Sequence, residues 1–272
     1  DGDGDLDLAC GNGAVTGYAR QSRPGLDACC SDYSESALRE LRKRHPGSRC
    51  VVADALNPPF PDGSFPVVAS QFGVEYAGAE AVVAAGRLVA PGGWLALVIH
   101  LHDGGIYREC AANLAATEAI RACRVLELGR AAFAAGFALN AGSGSVEAFK
   151  SAERDFTPAV RDLEGILRRW GPAVADGLPR QLYQDIAHMY QRMSAYEPGE
   201  VMAWLQGMRA ELDAYSGRMS SMLGAALDEP MLTAQCSALR QWGFGTMETG
   251  TLAMGETNEN AAWTLLAQRS LT

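Results

Sequence analysis

The stretch "LDLACGNGAVTGYARQS" occupies residues 6–22, and its reading decides what kind of fold surrounds it. An apolar run ending near Cys10 passes through Gly11 and Gly13 into a segment of helical period over 13–22. Glycine lets a backbone turn tightly and come close to a ligand, and the free N–H groups at a helix start favour electron-rich groups. The turn alone leaves that ligand open, because phosphate, dinucleotide and adenosyl groups all use it. Gly17 completes G-x-G-x-x-x-G, one residue too long for the dinucleotide spacing G-x-G-x-x-G.

Outward from this unit the pattern repeats. "GLDACC" (25–30), "RCVVAD" (49–54), "PVVASQF" (66–72) and "WLALVIHL" (94–101) are strand-like, and 34–45 and 79–90 between them are helix-like. Ser34 is a suitable N-cap for "ESALRELRKRH", whose Lys, Arg and His residues lie at the end where a helix dipole favours cations. Strands alternating with helices predict a mostly parallel sheet with helices on both faces. From Gly104 to about Ala226 the period becomes 3.6, with breaks expected at 140–145, 170–179 and 196–200. A helix over 229–242 and two strand-like runs, "GFGTMETGTLAM" and "AAWTLLAQRS", follow, and strands so close in sequence pair antiparallel. The sheet thus resumes after the helical block. The expected organisation is one α/β domain from 1–103 and 226–272 with a helical insertion over 104–225. The chain opens at Asp1 without a Met and meets a strand almost at once, which reads as a missing N-terminal segment.

Bulk properties narrow the partners. With 23 basic against 32 acidic residues the net charge is −9, a poor match for a phosphate backbone gripped by clustered Lys and Arg. No nucleic-acid partner is expected. Seven cysteines without C-x-x-C spacing read as small buried thiols in a reducing cytoplasm, with no metal site. No apolar run approaches the roughly 20 residues of a membrane span, so no membrane partner is expected either. A small molecule is the expected partner, with a homodimer as the protein association considered.

Asp32 follows the second strand, 19 residues beyond Gly13, where a carboxylate can accept both hydroxyls of a ribose. That favours an adenosine-containing cofactor without naming it. "LDLACGNG", "SDYS" (31–34), "ADALNPPFPDGSFPVV" (53–68), "RLVAPGGWLALV" (87–98) and "WGF" (242–244) then stand in the order and spacing of the class I S-adenosylmethionine-dependent methyltransferases. The chain resembles the small-molecule branch of that superfamily over 5–103 and, more loosely, 229–269. The resemblance implies a Rossmann-like, doubly wound, seven-stranded sheet, mostly parallel with a C-terminal antiparallel strand, and S-adenosylmethionine as cofactor. It implies that Asp7, Gly11, Ser70, Gln71 and Phe72 line the methionine end, with Ala9 and Gly13 in the glycine loop. It likewise gives Asp32 the ribose, Tyr33 one adenine face, and Asp54 with Ala55 the adenine amino edge. Ala9 replaces the family's usual glycine, a small-for-small exchange expected not to block the cofactor. Pro66 replaces its usual Asp at the entrance of the fourth strand.

"NPPF" (57–60) copies the motif with which another methylase group grips an amino nitrogen. There it follows the fourth strand; here it comes three residues after Asp54, at the end of the third, and reads as a turn. His100 and His102, at the end of the fifth strand and spaced to point to one side, are the candidate proton acceptors, since imidazole titrates near neutrality. Their alternative is capping of the loop "HDGG" or bonding a backbone carbonyl; Glu75, Tyr76 and Asp103 are expected to share the rim. Block 104–225 is expected to cover the acceptor site. Two other classes stay open: a methyltransferase-like protein that binds S-adenosylmethionine or S-adenosylhomocysteine without turnover, and a nicotinamide oxidoreductase, which the glycine spacing disfavours.

Overall fold

The computed structural model describes residues 4–255 and 258–271. Its chain forms two compact units, one from Asp1–Arg108 with Ser221–Thr272 and the other Glu109–Ser220.

The first unit is built on seven strands: β1 (Asp5–Leu8), β2 (Ala28–Asp32), β3 (Arg49–Val52), β4 (Phe65–Gln71), β5 (Val89–His100), β6 (Phe244–Met254) and β7 (Glu259–Arg269). They form one sheet in the order β3-β2-β1-β4-β5-β7-β6. β1 to β5 pair in parallel, while β7 runs antiparallel to both β5 and β6. The expected fold class holds. Glu256 and Thr257, in the polar segment joining β6 to β7, lie outside the described residues.

Alternation along the strands assigns the two faces. Leu6, Leu8, Val68, Leu95, Leu97 and Ile99 pack with Val82 and Ala85 of helix α3 (Ala81–Arg87) and with Leu232 and Leu239 of the helix Glu229–Gln241. Each side chain so buried contributes on the order of 1.5–3 kcal/mol. Helices α1 (Ala14–Ser22) and α2 (Glu35–Arg44) join β1 to β2 and β2 to β3. Leu38 and Leu41 of α2 form a separate cluster with Cys10 and Cys30, and Cys50 packs beside it. The Ser34 hydroxyl accepts the Ala37 N–H at 3.3 Å, so the expected N-cap is made. All seven cysteines are free.

One strand boundary differs from expectation. β5 begins at Val89, not near Trp94. The strand runs through Pro91-Gly92-Gly93, and Gly92 at φ +78° absorbs an irregularity in the β4–β5 register. Pro and paired glycines read as a turn in sequence, so five strand residues were hidden. The "NPPF" run, as expected, is the turn between β3 and β4: Asn57 is exposed, and Phe60 packs edge-on against Phe65 at 5.1 Å.

The second unit is helical, drawing on α4 (Gly105–Ala122), α5 (Val125–Asn140), α6 (Val146–Trp170), α7 (Leu178–Gln191) and α8 (Pro198–Ala225). Its core holds Phe133, Phe156, Leu163, Leu182, Ile186 and Leu205. The expected breaks occur, and a further one separates α4 from α5 at Arg124, whose φ of +55° carries no Gly or Pro signal. The final helix, α9 (Glu229–Gln241), returns the chain to the sheet.

Candidate cofactor cleft and the residues behind it

In an open parallel sheet, ligands gather at the carboxyl ends of the strands where the strand order reverses. Here that point lies between β1 and β4. The loops leaving β1, β2, β3 and β4 enclose a cleft of about 530 Å³, lined by Ala9, Gly11, Asp32, Tyr33, Asp54, Ala55 and Phe72 among the residues expected there. Tyr76, expected at the rim, lines it too, together with Ala53, Gly73 and Ala77, to which the sequence assigned no part.

The glycine turn is tied to the second strand by one carboxylate. Asp32 accepts the Gly11 N–H through Oδ2 at 2.8 Å and the Ser34 N–H through Oδ1 at 2.7 Å. Gly11 has φ +54°, Gly13 φ +86° and Ala9 φ +52°. The exchange at Ala9 is therefore small in volume but not in conformation, since an L-residue with a Cβ disfavours the left-handed region. A Cβ on Gly73 would run into the Ala9 carbonyl oxygen, so the loops after β1 and β4 can approach this closely only with glycine there.

Other expected residues sit away from the cleft lining. Asp7 is buried, and its Oδ2 accepts the Thr16 N–H at 3.0 Å and the Thr16 hydroxyl at 2.7 Å. Its Oδ1 is buried without a hydrogen-bond partner among the described residues. Burial, only partly offset by the Thr16 bonds, raises the Asp7 pKa to about 6. Gly13 opens α1. The Ser70 hydroxyl accepts the Val74 N–H at 3.1 Å, and Gln71 borders a separate cavity over the sheet face of β4, β5 and β7. Tyr33 is 82% exposed and Asp54 accepts the Leu56 N–H at 2.9 Å.

The two histidines part company. His100 ends β5 and is buried, its Nδ1 lying 2.8 Å from Oε1 of Glu75. Phe72 lies against the imidazole at 4.4 Å between centroids with the rings tilted by 34°, and Tyr76 meets it edge-on at 5.8 Å. Because β5 stops at His100, strand alternation no longer governs His102. That ring lies 4.3 Å from Tyr107 and its Nδ1 lies 3.3 Å from the Asp103 carboxylate. The expected shared orientation gives way to separate partners. Among the described residues, no group of three His, Cys, Asp or Glu could hold a metal ion, and no helix is long and apolar enough to cross a membrane.

Residues 6–97 match the family model described as a methyltransferase domain. The match covers about a third of the chain and shows that this segment is similar to a methyltransferase domain. Among curated relatives, the demethylmenaquinone methyltransferase of Thermus thermophilus is 34% identical over 99 residues, covering 34% of this chain and 45% of its own. That of Beutenbergia cavernae is 39% identical over 69 residues, covering 25% and 28%. The chain thus spans less than half the length of these relatives. A solved methyltransferase from Methanosarcina mazei is 13% identical, covers 98% of this chain and 92% of its own, and superposes with a TM-score of 0.44.

The cleft in the matched segment has the groups and the room to take an adenosyl ligand. Gly11 has open space where a Cβ would stand, so the backbone can lie against a ligand. Asp32 offers a carboxylate within the lining, and Tyr33 offers an exposed ring beside it.

Proposed function

We propose that the protein transfers a methyl group from S-adenosylmethionine to a small-molecule acceptor at oxygen or nitrogen. The observation that carries this reading is the cleft of residues 9–77 with the Asp32 carboxylate in its wall, inside the segment that matches a methyltransferase domain. When bound, the cofactor would supply a methyl carbon made electrophilic by positive sulfur, for in-line attack by the acceptor with S-adenosylhomocysteine as the leaving group. Asp32 holds the ribose hydroxyls, Tyr33 covers the adenine, and Asp54 with Ala55 meets the adenine amino edge. Asp7, Ala9, Gly11, Gly13, Ser70, Gln71 and Phe72 shape the methionine end, directly or by holding the loops. His100 receives the acceptor's proton as the new bond to carbon forms, and His102 is the second candidate. The work of the site is alignment and exclusion of water.

The relatives' names give demethylmenaquinone as their acceptor, and their match to this chain covers no more than 34% of it. The helical block expected over 104–225 lies outside residues 6–97, and we assign it the choice of acceptor. Calorimetric titration with S-adenosylmethionine, S-adenosylhomocysteine and NAD, followed by an acceptor screen scored by S-adenosylhomocysteine release, tests the reading. Binding of the two adenosyl compounds with release on one acceptor supports it. Preference for NAD overturns it, and adenosyl binding without release on any acceptor points to the binding-only alternative.

A further inference from the structure

We infer that Glu75 is the positioning residue for the His100 imidazole, an assignment that rests on the reading of His100 as proton acceptor. Glu75 lies in a single 3₁₀ turn, Val74–Ala77, directly after β4. That turn delivers its carboxylate to the end of the neighbouring β5. Oε1 accepts the backbone N–H of His100 at 3.0 Å and faces Nδ1 of the same residue at 2.8 Å. One oxygen thus holds both the main chain and the ring of a single residue. The Glu75 side chain is 0% exposed and that of His100 8%, so water does not compete for the contact.

The chemistry follows from the donor inventory. An ionised carboxylate only accepts, so Nδ1 must carry a hydrogen and the lone pair of the neutral ring lies on Nε2. When Nε2 gains a proton, the adjacent carboxylate stabilises the imidazolium without taking the proton itself, the role of the aspartate in serine hydrolases. Phe72 and Tyr76 fix the ring plane on two sides, and both also line the cleft. Phe72 does so from φ +51°, a left-handed backbone that costs on the order of 1–2 kcal/mol for an L-residue.

Stability alone is a poor reason for a carboxylate here. Glu75 Oε2 is buried with no hydrogen-bond partner among the described residues, and such an atom carries an uncompensated desolvation cost. A leucine of similar size would fill the space without it. The arrangement gives the imidazole a fixed tautomer at the expense of an open carboxylate oxygen.

The test uses the full chain labelled with ¹⁵N-histidine. Long-range ¹H–¹⁵N spectra of the parent should show His100 protonated at Nδ1 with Nε2 bearing the lone pair. Glu75→Leu should abolish that preference and lower kcat by roughly 100-fold or more, while S-adenosylmethionine affinity stays within about twofold. Glu75→Gln keeps an acceptor but not the charge. It should retain the Nδ1 tautomer and lose kcat by an intermediate factor, and it serves should Glu75→Leu fail to fold. A parent His100 protonated at Nε2, or a Glu75→Leu protein with the parent's tautomer, would overturn the assignment. So would variants in which cofactor affinity, melting temperature and kcat fall together, the mark of a purely structural carboxylate. The tautomer is read without turnover, so a chain inactive on every acceptor would sink the methyl-transfer reading while the spectra still decided the role of Glu75.

Discussion

The Asp32 carboxylate accepts the backbone N–H of Gly11 at 2.8 Å across the mouth of the first crossover. The residue proposed to hold the ribose therefore also holds the loop beneath it, and Oδ1 is engaged by Ser34. Asp32→Ala should weaken S-adenosylmethionine binding by about 1.5–3 kcal/mol, the range for losing bonds to a charged group. Calorimetry checks this, and an unchanged affinity would remove Asp32 from the ribose.

Asn57 is exposed and its backbone N–H bonds back to the Asp54 carbonyl at 3.1 Å, as befits a turn. Asn57→Ala should leave turnover within a few-fold of the parent. A loss of roughly 100-fold with the cofactor still bound would give Asn57 a part in the chemistry.

Ala9 holds φ +52° where a glycine would sit without steric cost. Ala9→Gly should raise stability by up to about 1 kcal/mol, the gain from relieving the left-handed Cβ being partly offset by a freer unfolded chain. Urea unfolding at constant slope measures it, and a lower midpoint would show that the Ala9 methyl is needed against Gly73.

Asp7 supplies a pH dependence with a definite sign. Its folded pKa is raised by burial from 3.8 to about 6, so the folded state binds this proton more tightly than the unfolded chain does. The associated stabilisation is complete below pH 4 and is lost as pH rises through 6, amounting to at most about 3 kcal/mol. Asp7→Asn, which cannot ionise, should gain stability over the parent as pH rises from about 4 to 6 and keep a constant advantage above. Unfolding curves at several pH values check it; a difference independent of pH would mean that Asp7 ionises freely.

Much of this was legible before any coordinates. Period and glycine placement sufficed for β1, β2, β4 and their helices, because each buries an alternating or 3.6-spaced apolar face. The same reading found Gly11 and Asp32, whose roles follow from chain reversal and spacing. It set Glu75 and Tyr76 at the rim but missed Gly73 and the turn that carries them, because a 3₁₀ turn of four residues is too short to show a period. The pairing of Glu75 with His100 across 25 positions is a product of the sheet order. It misjudged His102 because alternation was extended past the last strand residue. It placed Ser70 and Gln71 near the cofactor by resemblance, whereas Ser70 spends its hydroxyl on Val74.

The position of β7 between β5 and β6 sets a timetable for synthesis. β5 ends at His100, yet its antiparallel neighbour begins only at Glu259. While a ribosome makes the intervening chain, the β5 edge has no partner strand, and an unpaired apolar edge is where chains cross-associate. The intervening stretch is mostly helical and also carries β6, which among the described residues itself pairs only with β7. Closure of the sheet thus waits for β7, which pairs with β5 and β6 at once, and the β5 edge is most vulnerable just before β7 emerges.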